Sequence, residues 1–169
     1  EDTARTFPDT GAGSPAANDT DIDLDILTVT AVSSPVGGTV SLASNTITFT
    51  PTANLCGASA GRFNYTVSDG HGGTDTGLVI LNITCTNDAP VAMSDVYATP
   101  EDTTLNILVP GVLSNDTDVD GNPLTAIKVT DPTHGMLTLN TNGSFTYVPE
   151  TLYHGSDSFT YKANDSTAD

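Results

Sequence analysis

Short runs in which apolar and polar residues alternate dominate the sequence, and they predict β-strands. Gly, Asn, Asp or Pro lies between consecutive runs, where turns are expected. No stretch shows the apolar period of an amphipathic helix, so no helix is predicted. The predicted strands are Leu24–Val32, Thr39–Leu42, Thr46–Thr50, Phe63–Val67, Leu78–Ile83, Val96–Ala98, Leu105–Val109, Leu124–Val129, Met136–Leu139, Ser144–Val148 and Ser158–Tyr161.

Many short strands separated by turns favour an all-β fold of β-sandwiches over βαβ units. One turn is especially clear. Asn142 and Gly143 lie between two apolar runs, and Asn-Gly readily adopts the positive φ of a tight hairpin.

An internal repeat sets the number of domains. The sequence Asn-Asp-Thr-Asp-Ile-Asp at 18–23 returns as Asn-Asp-Thr-Asp-Val-Asp at 115–120. The run from Phe63 to Asp69 likewise has a counterpart from Phe159 to Asp165, and Glu-Asp-Thr occurs at 1–3 and 101–103. We therefore predict two tandem sandwiches, residues 1–88 and residues 89–169.

Each predicted sandwich lacks one terminal strand. The second copy opens with 89–100, which has no counterpart before Glu1, and the strand Leu78–Ile83 of the first copy has no counterpart before Asp169. Two explanations stay open. The chain is an excerpt of a longer tandem array, or another chain supplies the strands, because an open sheet edge is a template for pairing.

The net charge of the chain excludes or disfavours some classes of binding partner. The chain has 21 Asp and Glu against four Lys and Arg, a formal net charge of −17. Nucleic acid is excluded as a partner because phosphate binding needs clustered basic residues, and an anionic membrane surface is disfavoured for the same reason. No apolar run approaches the roughly 20 residues of a membrane span.

Alternating aspartates in two runs are candidate calcium ligands, because calcium takes six to eight oxygen ligands and tolerates irregular loops. An EF-hand is excluded because the twelfth position from Asp116 is Ile127, not Glu. Magnesium prefers fewer carboxylates, and a soft metal would need paired Cys and His. The alternative is a solvated acidic turn. The ligands predicted from the two runs are Asp19, Asp21, Asp23, Asp116, Asp118 and Asp120.

Cys56 and Cys85 are the only cysteines, and both belong to the first copy. A disulfide between them would close a loop of about 29 residues and imply an oxidising compartment. Cys85 shares strand parity with Ile83, so its side chain is predicted to face inward. The alternative is two buried free thiols.

Two further motifs are weaker indicators of function. Gly57-Ala58-Ser59-Ala60-Gly61 matches the nucleophile elbow of hydrolases, but that elbow needs a strand before it and a helix after it. A strand follows here, so we predict a loop and no enzyme. Glycosylation acceptors of the Asn-X-Ser/Thr type occur at Asn18, Asn64, Asn82, Asn115, Asn142 and Asn164.

The second copy resembles the cadherin-like tandem repeats of large bacterial surface adhesins, also described as VCBS or bacterial Ig-like repeats. The resemblance rests on the runs 87–92, 111–121, 143–147 and 153–161, and in the first copy on 54–57 and 65–75. It implies a calcium-stiffened β-sandwich in an extended surface protein. The first copy departs from the pattern at Leu24, where the second copy has Gly121.

The resemblance to cadherins also implies an ion site at the junction of the two copies. Asn87 and Asp88 would share an ion with Glu1 and with acids of the following domain. Glu101, at the matching position of the second copy, would serve a junction beyond Asp169. Asp69 and Asp165 end matching strands and are further predicted ligands.

The prediction is a non-enzymatic, calcium-rigidified structural or adhesive repeat of an extracellular rod or cell-surface adhesin. Its partners would be neighbouring repeats or identical chains, with a host glycan or protein as a further candidate. One alternative is a fibre subunit that exchanges strands between chains. Another is a carbohydrate-binding module, which would need an exposed aromatic platform although Trp is absent.

Overall fold

The structure, a computed structural model, describes residues 1–167. It is almost entirely β, with antiparallel sheets and two short 3₁₀ turns at Pro15–Asn18 and Gly111–Leu113. Contacts divide the chain into two compact units, Glu1–Thr86 (unit 1) and Asn87–Asp169 (unit 2). The boundary predicted after Asp88 thus lies two residues further along the chain than the one that the contacts define.

Unit 1 contains two three-stranded antiparallel sheets. One has the order β1-β4-β3 and the other the order β2-β5-β6. Hairpins connect β3 to β4 and β5 to β6, as the turn residues between them predict. The strands are β1 Arg5–Pro8, β2 Thr28–Val36, β3 Gly38–Ala43, β4 Thr46–Pro51, β5 Gly57–Ser68 and β6 Thr74–Ile83.

The core of unit 1 follows from the alternation of side chains along β4 and β5. Ile47 and Phe49 are buried on β4, and the equally alternating Phe63 and Tyr65 are buried on β5. The rings of Phe49 and Phe63 stack with centroids 6.0 Å apart. Because successive side chains of a strand point to opposite faces, one face of each sheet supplies this core.

Unit 2 repeats the arrangement with fewer strands. Its sheets have the orders β7-β10-β9 and β11-β8. Phe145 is the central core residue, and its ring meets those of Tyr97 and Phe159 edge-on at 5.1 and 5.5 Å. The strands are β7 Leu105–Ile107, β8 Thr125–Thr130, β9 Gly135–Leu139, β10 Phe145–Pro149 and β11 Thr160–Asn164.

The structure removes one predicted strand, adds a strand that was not predicted and places a predicted loop inside a strand. Val96–Ala98 is not a strand, and within 89–100 the described ladder contact is a single bridge between Val91 and Thr117. The strand β1 was not predicted, because it pairs with β4 from a distance and its sequence alternates weakly. The predicted loop at 57–61 is part of β5, where the register shifts.

The sheet edges differ between the units. In unit 1, β5 pairs with β2 on one side and β6 on the other. In unit 2, the equivalent β11 pairs with β8, and the described residues of this unit contain no counterpart of β6. Within residues 87–167, no second strand is therefore assigned beside β11.

All four basic residues of the chain lie in paired strands. Arg5 and Arg62 belong to β1 and β5, and Lys128 and Lys162 belong to β8 and β11. The acidic residues are concentrated instead in the segments between strands. The two 3₁₀ turns are three and four residues long, so neither could cross a membrane, and the described residues contain no longer helix.

The disulfide prediction is confirmed, because Cys56 and Cys85 are bonded in unit 1. The bond joins the residue before β5 to the segment after β6. Cys85 is exposed, contrary to the inward orientation that strand parity predicted. The parity argument fails there because β6 ends at Ile83, two residues earlier.

Removal of this disulfide should destabilise unit 1 selectively. Closing a loop of 29 residues lowers the entropy of the unfolded chain, which corresponds to about 3–4 kcal/mol. The double variant Cys56→Ser with Cys85→Ser should therefore lose amide-exchange protection in β5 and β6, while β10 and its neighbours keep theirs. Equal loss of protection in both units, or no loss in β5, would contradict this expectation.

Candidate metal centres

The second aspartate of each acidic run forms a tight turn. The Oδ1 atom of Asp118 accepts hydrogen bonds from the backbone N–H groups of Asp120 and Asn122, at 2.9 and 3.2 Å. In unit 1 the equivalent Asp21 accepts from Asp23 and Asp25 at 2.8 and 3.3 Å. The two predicted loops thus have the same local hydrogen bonding, and in both one carboxylate oxygen is used by the turn.

The first aspartate of each run is bound to a core tyrosine instead. The Tyr161 hydroxyl lies 3.1 and 3.0 Å from the two carboxylate oxygens of Asp116. The Tyr65 hydroxyl lies at the same distances from those of Asp19. Sequence reasoning assigned both aspartates to a cation and missed the tyrosines, whose matching positions in the two copies were the available signal.

These contacts disfavour ionisation of the tyrosines. Burial, followed by the hydrogen bond to Asp116, raises the pKa of Tyr161 well above its ordinary value. Burial and the hydrogen bond to Asp19 raise the pKa of Tyr65 in the same way. Both hydroxyls therefore remain protonated donors across the physiological pH range.

The junction residues Asn87 and Asp88 are tied to unit 2. The Asn87 side chain donates to Asp165 at 2.6 Å and accepts from Asn122 at 2.7 Å. The Asp88 N–H donates to Asp120 at 2.8 Å. Asp165 is buried, 4% exposed. The structure thus gathers predicted ligands from three separate parts of the sequence at one end of unit 2.

The remaining predicted ligands have other surroundings. In unit 1 the Glu1 Oε1 atom accepts from the Thr86 N–H at 3.3 Å, so this carboxylate lies beside the last residue of the unit. Glu101 is exposed. Asp69 accepts the backbone N–H groups of His71 and Gly73 in the β5–β6 turn, and the bond from His71 is the main cause of its lowered pKa.

Within neither unit do three described carboxylates bring oxygen atoms within 4.8 Å of one another. The expected convergence of Asp116, Asp118 and Asp120 on one point is therefore absent, because each has its own hydrogen-bond partner. Three buried side-chain oxygens nevertheless have no hydrogen-bond partner among the described residues. They are Glu1 Oε2 in unit 1, and Asp88 Oδ2 and Asp118 Oδ2 in unit 2.

Two protein families match the chain. Residues 1–82 match the bacterial Ig domain, and residues 87–169 match the bacterial cadherin-like domain. The chain is a tandem of bacterial Ig-like and cadherin-like repeats. No curated protein matches it.

Two solved structures are weakly similar to the tandem repeat. One is the endo-fucoidan hydrolase MfFcnA4 from glycoside hydrolase family 107, at 20% identity and a TM-score of 0.34. The other is a single-substitution variant of that enzyme, at 18% identity and a TM-score of 0.33. The alignments cover 99% and 98% of this chain, which spans about a quarter of each hydrolase, 24% and 25%.

The acidic loop of the Ig-like repeat adopts the backbone of its counterpart despite a different residue. Leu24 has φ 67° where the cadherin-like repeat has Gly121 with φ 74°. A side chain in this left-handed region clashes with its own backbone and costs about 1–2 kcal/mol. Leu24 is also 89% exposed, so burial offsets little of the cost.

A structural carboxylate that the sequence did not reveal lies in the cadherin-like repeat. Asp157 accepts the N–H groups of Thr133, His134 and Ser158 at 2.9–3.0 Å and the Tyr147 hydroxyl at 2.8 Å. Burial opposes its ionisation, but these hydrogen bonds outweigh burial and lower the pKa of Asp157 to about 2. No local sequence signal marks this residue, since all of its partners except Ser158 come from elsewhere in the chain.

The glycosylation acceptors differ in accessibility. Asn64 and Asn164 lie in strands and are half-buried, whereas Asn18, Asn82, Asn115 and Asn142 are exposed.

We expect Leu24→Gly to stabilise the Ig-like repeat by about 1 kcal/mol, because glycine adopts positive φ without the clash. Denaturant unfolding would measure the change. Ile26→Gly is the control, since Ile26 is also exposed but has no positive φ, and it should not stabilise. Equal effects of the two substitutions would mean that backbone strain at Leu24 is unimportant.

Asp157→Asn should destabilise the cadherin-like repeat by about 1–3 kcal/mol at neutral pH, through weakened charge-assisted hydrogen bonds. The pKa of Asp157 is lowered, so its contribution is complete above about pH 4 and is lost as the pH falls towards 2. The stability difference between the chain and this variant should therefore shrink over that window. Asp131→Asn, at an exposed ion pair with Lys128, is the control and should have little effect.

Proposed function

We propose that this tandem repeat is a calcium-rigidified structural segment of an extracellular rod or surface adhesin. Membership of the two repeat families supports a structural or adhesive role. The disulfide supports an oxidising, extracellular location, because such bonds persist there and are rare in the cytosol.

One observation carries the calcium part of the proposal. Every buried side-chain oxygen without a hydrogen-bond partner, among the residues that the structure describes, belongs to a predicted calcium ligand. A buried carboxylate oxygen that loses water and gains no partner is costly, and a bound cation removes that cost. Calcium is the cation that suits such oxygen-only sets, which include Asn side chains and backbone carbonyls.

The oxygen atoms available to an ion differ between the two units. In the cadherin-like repeat, Asp88 and Asp118 each offer an unpartnered oxygen, and Asp120, Asp165 and Asn87 are bonded into the same network. In the Ig-like repeat, Glu1 offers an unpartnered oxygen. The sharing of one ion between Glu1 and the Asn87–Asp88 pair stays a prediction. When bound, calcium would supply positive charge that offsets repulsion among these acids and restrains their loops.

Asp19 and Asp116 have a weaker claim as ligands. Their carboxylates already accept hydrogen bonds from core tyrosines, and Asp116 also accepts the Met93 N–H at 2.8 Å. We assign them the role of fixing each acidic loop to the core strand behind it.

No observation favours a carbohydrate-binding module. Each of the ten Phe and Tyr residues is buried or half-buried, so the described residues present no exposed aromatic platform for sugar rings. Ser59, the candidate nucleophile, lies inside β5, and its N–H donates to the Asn82 side chain at 2.9 Å. That position is not the strand-to-helix turn that a nucleophile elbow requires.

Calcium should raise the Tm of the chain. A ligand at about 100 times its Kd adds roughly 2.7 kcal/mol, which corresponds to about 10 °C or more for a domain of this size. Melting in calcium and then in chelator measures the shift, and magnesium is the comparison ion. Identical Tm values, together with no heat of calcium binding by calorimetry, would refute the proposal.

Charge-removing variants locate the ion. Asp118→Asn and Asp88→Asn keep the size of the side chain but remove its charge, so each should reduce the calcium-dependent rise in Tm. Asp131→Asn, which removes an acid paired with Lys128, should leave that rise unchanged. An equal reduction in all three variants would indicate general charge screening rather than a site.

A further inference from the structure

An open groove of about 520 Å³ lies in the Ig-like repeat, bounded entirely by unit 1. One wall is formed by Asn18, Asp19, Thr20 and Asp21, and the other by the turn and first residues of β6. Leu27 and Val67 contribute apolar surface. Neither cysteine of the disulfide lines the groove.

The cadherin-like repeat shows what fills the equivalent place. There the segment 87–95 runs along the acidic loop, and Val91 exchanges two backbone hydrogen bonds with Thr117 at 2.8 and 3.1 Å. The Met93 N–H donates to Asp116 at 2.8 Å. The Asn115 side chain donates to the Ser94 carbonyl at 3.3 Å.

Five of the groups that hold this segment have counterparts of identical type in unit 1, but Asn122, which donates to Asn87, corresponds to Asp25. Counting 97 positions back, Asn115, Asp116 and Thr117 correspond to Asn18, Asp19 and Thr20, with identical residue types. Counting 96 positions back, Tyr161 and Asp165 correspond to Tyr65 and Asp69. Each copy therefore carries the same set of five receiving residues.

The receiving groups are also in place geometrically. The Tyr65–Asp19 contact has the same distances as Tyr161–Asp116, so the carboxylate that accepts a backbone N–H in unit 2 is held alike in unit 1. Among the described residues, no backbone hydrogen bond reaches Thr20, and no side-chain bond reaches Asn18. These are the two positions whose counterparts bind Val91 and Ser94.

We infer that the groove of unit 1 is a docking site for an extended peptide strand with the chemistry of residues 87–95. The Asn-Asp-Ala-Pro-Val sequence at 87–91 supplies the groups that the groove would bind. The asparagine side chain donates to Asp69, directly after β5, and the valine backbone pairs with Thr20. The following residues present an N–H to Asp19 and a carbonyl to Asn18. This is strand addition guided by side-chain contacts at the end of a sandwich.

A synthetic peptide of residues 87–98 with blocked ends tests the inference. Added to the ¹⁵N-labelled full chain in calcium buffer, it should shift the amide signals of residues 18–21 and 73–77 in a saturable way, with a Kd below about 1 mM. Signals of residues 115–118 should stay in place. A peptide carrying Val91→Pro has no N–H to offer Thr20, and it should bind at least about 10-fold more weakly.

A matched pair of chain variants provides the control. Asn18→Ala removes a donor from the open groove and should weaken peptide binding about 3- to 10-fold. Asn115→Ala removes the equivalent donor where the segment of unit 2 already lies, and it should leave peptide binding unchanged. Both residues are exposed, so neither substitution removes core packing.

Three outcomes would overturn the inference: no shifts at saturating peptide, shifts centred on residues 115–118, or equal binding of the Val91→Pro peptide. Self-association of the chain through the groove that added peptide does not reduce would also overturn it, because the occupant would then be a different surface of a second copy. The contacts are hydrogen bonds to backbone and amide groups, so the inference does not rest on calcium. A failed calcium melt and a failed peptide titration are therefore distinguishable.

Discussion

A single hydrogen-bonded pair, repeated in both units, determines where the acidic loops lie. A tyrosine from β5 or β11 donates its hydroxyl to the first aspartate of the loop, at Tyr65 and Asp19 and again at Tyr161 and Asp116. Each tyrosine ring packs against the core of its unit, so its hydroxyl is a fixed donor for the carboxylate, and the Tyr161 hydroxyl also lies 2.7 Å from the Val112 carbonyl. The remainder of each loop, with its turn-forming second aspartate, extends from this fixed point.

Once the loop is fixed, its acids have distinct uses. One carboxylate binds the core tyrosine and the next closes the turn, and in unit 2 the turn-closing Asp118 also has the unpartnered Oδ2 atom. The formal charge of −17 is thus not spread as a uniform repulsive surface. Part of it is neutralised locally by backbone N–H dipoles, which is the same means by which Asp157 is stabilised far from these loops.

The sequence predicted those features that depend on the alternation of apolar and polar residues or on the internal repeat. Strands β3, β4, β9 and β10 alternate clearly and lie close to their predicted bounds, and the repeat itself identified two sandwiches. The disulfide followed from there being two cysteines in one copy. Features that depend on a distant partner escaped detection. β1 has four residues and becomes a strand by pairing with β4, and Asp157 gains its role from backbone groups at 133 and 134.

Comparison of the copies also explains why some predicted ligands do not converge. Three aspartates alternate in the sequence of the loop. In the tight turn each of them accepts a hydrogen bond from a different donor, so their carboxylates do not surround one point. In unit 2 the contributions come together through Asn87 and Asp88, which the chain brings from outside the loop. The spacing of aspartates along one loop thus predicted the ligand set poorly. The contacts between the loop and the junction residues determine which acids lie close together.

The placement of the four basic residues inside paired strands has a consequence for proteolysis. Trypsin-like proteases cut after Lys or Arg and need the local chain released from its sheet, so every such bond in this chain is protected while the strands stay paired. The loops, which are the segments that a protease reaches most easily, contain aspartate and glycine instead. Digestion by such enzymes is therefore limited by opening of the sandwiches rather than by access to the surface.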